Sequence, residues 1–75
     1  MPFVEIKLIE GVFTKTQKQE MIQKVTDTMV AIEGEKMREV TWVTINEVKS
    51  GDWGIGGKTL TAEMVKSLAA GEPVG

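Results

Sequence analysis

Between two runs of strand-forming residues lies a single helical stretch, and that order leaves few folds open. Residues 3–9 alternate: Val4, Ile6 and Leu8 form a wholly apolar face, while Phe3, Glu5, Lys7 and Ile9 form a mixed one. Thr14-Lys15-Thr16-Gln17 has the form of a capping box and predicts a helix over roughly residues 15–33. Met21, Ile22, Val25, Met29 and Ile32 recur at helical spacing and predict one buried stripe. Gly34 is the expected terminator, followed by a polar connector over 35–39. Residues 40–48 are rich in β-branched and aromatic side chains and predict a second strand. Strand, helix, strand implies a parallel pair joined by a right-handed crossover.

The rest of the chain is short. Residues 50–57 hold four glycines in eight positions, which predicts a turn or short hairpin with close backbone approach. Residues 60–70 predict a final helix capped by Thr59 or Thr61, and 71–75 a loose tail. All 75 residues are expected to form one domain. So small a domain buries little of its surface, and without cysteine no disulfide can reinforce it. One helix covers one face of a two-stranded sheet, which would leave Phe3, Ile9 and Trp42 facing water. Two strands under one helix also fall short of independent stability. Other copies of the chain are therefore expected to cover the second face.

Composition narrows the chemistry. Net charge is −2, which offers no basic surplus for nucleic acid. No apolar run approaches the ~20 residues of a membrane helix, and no signal-peptide pattern opens the chain. A cytoplasmic protein is the default expectation. Histidine, cysteine and tyrosine are absent, which removes Ser-His and Cys-His nucleophile pairs and the usual zinc ligands. Neither metal nor cofactor is expected. Acid-base work falls to carboxylates, lysines or the terminal amine. Pro2 is notable here, because removal of Met1 would leave it as a secondary amine at the start of a strand. Its purely structural reading is a strand-opening proline.

With these pieces in place, the chain resembles the 4-oxalocrotonate tautomerase group of the tautomerase superfamily. The matching features are Met1-Pro2 opening a strand, Leu8-Ile9-Glu10-Gly11 ending it, and Gln17 and Lys18 in the first turn of the helix. The second strand ending near Glu47, and Trp53-Gly54-Ile55-Gly56-Gly57, match as well. The resemblance implies an α/β (α+β) fold: a β-α-β unit with a parallel strand pair, a short C-terminal hairpin and a short helix. It also implies a homohexamer built as a trimer of dimers. By the same resemblance Pro2 is the catalytic base, taking a proton from a carbon beside a carbonyl and returning it elsewhere. Trp53 is an apolar pocket wall, Ile55 lines the pocket, and the backbone N–H at Ile9 orients substrate. Burial beside Trp53 and Ile55 would disfavour the ammonium form of the amine and bring it nearer to neutral pH.

Two positions depart from the family pattern. The arginines that bind a dicarboxylate are replaced by Val12 and Trp42, and Arg38 is the only arginine in the chain. A pocket walled by Val12, Trp42 and Trp53 is expected to prefer a less charged enol or keto acid, such as a phenylenolpyruvate-like monoacid. Lys7, Lys36 and Arg38 read first as solvated charges, any of which could replace a missing arginine across a subunit boundary. The leading expectation is a cofactor-free tautomerase of enol and keto acids. The alternative is a non-catalytic oligomeric scaffold or small-molecule binder of the same fold. A third reading keeps Pro2 as base for dehalogenation or decarboxylation.

Overall fold

The computed structural model describes residues 1–71. Its elements run β1 (Phe3–Ile9), α1 (Lys15–Glu33), a 3-10 segment (Glu35–Val40), β2 (Trp42–Val48), β3 (Trp53–Ile55), β4 (Lys58–Leu60) and α2 (Ala62–Ala69). Strands β1 and β2 form one two-stranded sheet, and β3 and β4 another. The Trp42 N–H donates to the Pro2 carbonyl at 3.0 Å, and the Glu10 N–H to the Val48 carbonyl at 2.7 Å. Start meets start and end meets end, so β1 and β2 are parallel. This is the expected mixed α+β arrangement. No helix among the described residues is long and apolar enough to cross a membrane.

Contacts gather into two compact units, the first comprising residues 1–6 and 14–46. Here the capping box forms in full: Thr14 Oγ1 accepts from the Gln17 N–H at 3.1 Å, and Gln17 Oε1 accepts from the Thr14 N–H at 2.9 Å. Two of the helix's orphan donors are thereby satisfied at little entropic cost. Gly34 stops the helix with φ 107, a conformation open to glycine, and its N–H still reaches the Val30 carbonyl at 2.8 Å. The polar connector proves to be the 3-10 segment, folded back along α1. Arg38 reaches Asp27, and the Thr41 hydroxyl reaches the Glu33 carboxylate. The stripe expected along α1 is corrected as well. Met21, Val25 and Met29 are half-buried as expected, but the buried residue of α1 is Val30, while Ile22 is 36 % and Ile32 80 % exposed. The contacts of the segment with α1 fall on Asp27 and Glu33, and Ile32 lies outside them. The segment also delays β2 by two residues, because Val40 closes the 3-10 turn and Thr41 caps it on the Met37 and Arg38 carbonyls.

The second unit comprises residues 7–13 and the chain from Glu47 onward. Its hairpin pairs Trp53 with Leu60, Gly54 with Thr59 and Ile55 with Lys58. The loop between them is Gly56-Gly57, both at positive φ, as a tight two-residue hairpin turn requires. Leu60, expected to open the last helix, instead ends β4 as the partner of Trp53. Helix α2 starts at Ala62, with Thr61 as its cap accepting from the Met64 N–H at 3.2 Å. The Ala62 N–H donates to Ser50 Oγ at 2.8 Å, which ties the loop after β2 to the start of α2. Gly71 follows α2, and the rest of the expected loose tail lies outside the described residues.

Along β1 the alternation is as read: Val4, Ile6 and Leu8 are half-buried, and Phe3, Glu5 and Lys7 exposed. Ile9 is the exception. Expected on the bare face, it is only 5 % exposed.

Candidate active site

Ile9 is buried because the second unit builds an apolar hollow around the end of β1. Phe13, Trp53, Ile55, Leu60 and Val65 line it together with Lys7, Leu8 and Ile9, around a cavity of about 250 Å³. Each wall has a local cause. The strand ends at Ile9, and Gly11 turns at φ 89, which directs the chain through Val12 to Phe13. A Cβ at Gly11 would come within 3.5 Å of Ala62 Cβ, so the turn passes close to the start of α2. In the hairpin Trp53 and Ile55 stand two residues apart and share a face, and pairing brings Leu60 beside Trp53. Trp53 is half-buried, whereas Ile55 is 62 % exposed and forms the open edge. A second groove of about 240 Å³ adjoins, lined by Lys7, Val48, Asp52, Trp53 and Gly54.

The remaining candidates lie in the first unit, apart from Val12, which is half-buried in the loop before Phe13. Pro2 is half-buried at the head of β1, bonded through its carbonyl to Trp42, and Met1 beyond it is 77 % exposed. The rings of Phe3 and Trp42 stand 6.2 Å apart at 35°, with 57 % and 52 % of the two residues exposed. Both therefore lie on one side of the sheet, as the sequence pattern requires. Arg38 is committed elsewhere. Its Nε and Nη2 donate to the two carboxylate oxygens of Glu35 at 2.7 and 3.3 Å, and its Nη1 donates to Asp27 Oδ1 at 2.8 Å. The hydrogen bond from Arg38 holds the Glu35 carboxyl below its ordinary range, and Glu35 and then Asp27 push the guanidinium further above its own.

Three of the sequence-derived residues, Ile9, Trp53 and Ile55, are thus gathered in one hollow. Pro2 and Trp42 are neighbours across the sheet, and Arg38 is bound to its own carboxylates. Sequence reasoning missed Phe13, Leu60 and Val65 as walls. Leu60 could have been found from the Gly-Gly turn, since counting outward from Gly56-Gly57 pairs it with Trp53. Phe13 and Val65 carry no such local mark. Chemically the hollow can enclose an aromatic or alkyl group, and Lys7 is the one charged residue among those lining it. Among the described residues, no group of three or more acidic, His or Cys side chains is placed to hold a metal.

Comparison with known proteins gives a consistent picture. The family model described as tautomerase enzyme matches residues 2–63. The probable tautomerase K2 of Dickeya dadantii is 41 % identical over 61 residues, covering 81 % of this chain and 90 % of the relative. The 2-hydroxymuconate tautomerase of Pseudomonas putida is 44 % identical over 57 residues, covering 76 % and 87 %. Among solved structures, a 4-oxalocrotonate tautomerase isozyme of Methylibium petroleiphilum superposes with TM-score 0.68 at 42 % identity, covering 77 % of this chain and 90 % of that one.

Proposed function

This chain belongs to the tautomerase family, and we propose that within it the protein is a cofactor-free cytoplasmic isomerase of enol and keto monoacids with Pro2 as general base. Loss of Met1 turns the Pro2 nitrogen from an amide, which cannot accept a proton, into a secondary amine, which can. In ketonisation the amine takes the enol hydroxyl proton, and the O–H pair becomes part of the carbonyl. The former C=C pair then takes a proton back from the ammonium at carbon. One proton leaves oxygen, one arrives at carbon, and the amine is regenerated. Ile9, Trp53 and Ile55 line an apolar hollow within the second unit, and an apolar setting for the amine favours its neutral form by desolvation. Val12 and Trp42 place no charge where a second carboxylate would need one, so the preferred substrate is a monoacid such as phenylenolpyruvate. We further propose a homo-oligomer, a hexamer in the family manner, in which other copies cover Phe3 and Trp42.

The observation that carries this reading is that the family match begins at Pro2 itself, directly after an exposed Met1. Support for the alternative, a binder that no longer catalyses, comes from Arg38, three of whose donors go to Glu35 and Asp27. The test is the pH profile of phenylenolpyruvate ketonisation for three forms of the protein. Wild type lacking Met1 is expected to be active. Pro2→Ala keeps a primary amine and loses most, but not all, activity. A Met1-retained form is expected to be inactive yet folded, since Pro2 donates no ladder hydrogen bond. Equal rates in all three would reduce Pro2 to a strand-opening residue.

A further inference from the structure

We propose that Lys7 is the anion-binding residue of the apolar hollow, and that the ligand it selects is a monocarboxylate carrying one aryl or compact alkyl group. The proposal rests on the tautomerase reading only in taking the hollow as the substrate side of the protein. Of the side chains that line the hollow, Lys7 alone is charged. It stands on β1 two residues before the buried Ile9, on the same side of the strand. A lysine in that position lays its apolar stem along the wall and carries its ammonium toward solvent at the rim. A ligand with an apolar body and one carboxylate matches that distribution. The body displaces water from Trp53, Leu60 and Val65, and the carboxylate meets the ammonium.

Three further observations favour Lys7. Arg38 already gives three donors to carboxylates within its own unit, and Val12 and Trp42 carry no charge. Lys7 and Trp53 line both the hollow and the adjoining groove, but Asp52 lines the groove only. Its negative charge disfavours an anion on the groove side of Lys7 and leaves the rim of the hollow as the side where a carboxylate can meet the ammonium. Size adds a limit, because about 250 Å³ lies below the ~300–1,000 Å³ of drug-sized sites and suits a single ring with a short chain. Lys7 is engaged within the chain as it stands. An ammonium offers three donors, so a carboxylate joins that partner rather than requiring its removal. A second carboxylate inside the hollow would be desolvated with no further cation to meet it, which sets monoacids above diacids.

The experiment is calorimetric titration of the oligomer with 3-phenylpropionate and with its uncharged methyl ester, neither of which is an enol or keto acid. Wild type is expected to bind the acid about tenfold more tightly than the ester, the scale of one partly solvated charge-assisted contact. Lys7→Met is expected to lose that tenfold for the acid and to leave ester affinity unchanged, which also shows that the hollow is intact. Lys7→Arg should restore most of the acid preference. Equal affinity for acid and ester in wild type, equal weakening of both by Lys7→Met, or no binding of either would each overturn the proposal. No ligand proton moves in this assay, so failure of the Pro2 mechanism is seen separately. An inactive protein with the expected acid preference refutes the base and retains Lys7. An active one without that preference does the reverse.

Discussion

Replacing Ile9 and Ile32 separately by alanine sets the local reading of the sequence against the folded chain. Ile9 is 5 % exposed and walls the hollow; Ile32 is 80 % exposed at the end of α1. Ile9→Ala removes three methylene-sized groups at about 0.8 kcal/mol each, so transfer alone amounts to roughly 2.4 kcal/mol. A partly unfilled cavity adds to this, giving about 3 kcal/mol, inside the ~2–5 kcal/mol range for buried Ile→Ala. Ile32→Ala loses almost no buried surface and gains slightly in helix propensity, so its effect should stay within about 0.5 kcal/mol of zero. The assay is urea unfolding followed by far-ultraviolet circular dichroism, repeated over a range of protein concentrations. Association shifts the midpoint with concentration, whereas a loss inside one chain persists at every concentration. Destabilisation by Ile32→Ala as large as that by Ile9→Ala, at all concentrations, would refute the reasoning and restore the simple helical stripe.

Phe3→Asp places a charge on the exposed aromatic face beside Trp42 and should convert the proposed oligomer to smaller species in light scattering; an unchanged mass would show that this face is not an interface. Val12→Arg should improve turnover of 2-hydroxymuconate relative to phenylenolpyruvate by about tenfold, the scale of one charge-assisted contact; an unchanged ratio of kcat/KM values would place the carboxylate elsewhere. The Glu35 carboxyl is held low by Arg38, so its contribution to stability is present above the ordinary carboxylate range and is lost as pH falls through its depressed value. Arg38→Met should therefore flatten the acid-side fall of Tm, and only slightly, because the pair is exposed. Superimposable acid-side curves for the two proteins would show that the pair has no effect.

The sequence by itself determined those features whose causes lie within a few residues of one another. The capping box needs only Thr14 and Gln17, the stop needs Gly34, and the alternation of β1 follows from its own pattern. The tight turn at Gly56-Gly57 needs only glycine's freedom at positive φ, and the family motifs from Pro2 to Gly57 are contiguous in the chain. Tertiary structure decided what depends on distant segments meeting. Whether Ile32 or Val30 is buried was settled by packing around the last turns of α1, which no period in α1 encodes. Whether Leu60 opens a helix or closes a hairpin was settled by its pairing with Trp53. The burial of Ile9 and the place of Lys7 in the lining of an apolar hollow required Phe13, the hairpin and α2 to converge. Periodicity shows that a side chain is apolar and which way it points, but the neighbour that covers it is set by packing between residues far apart in the chain.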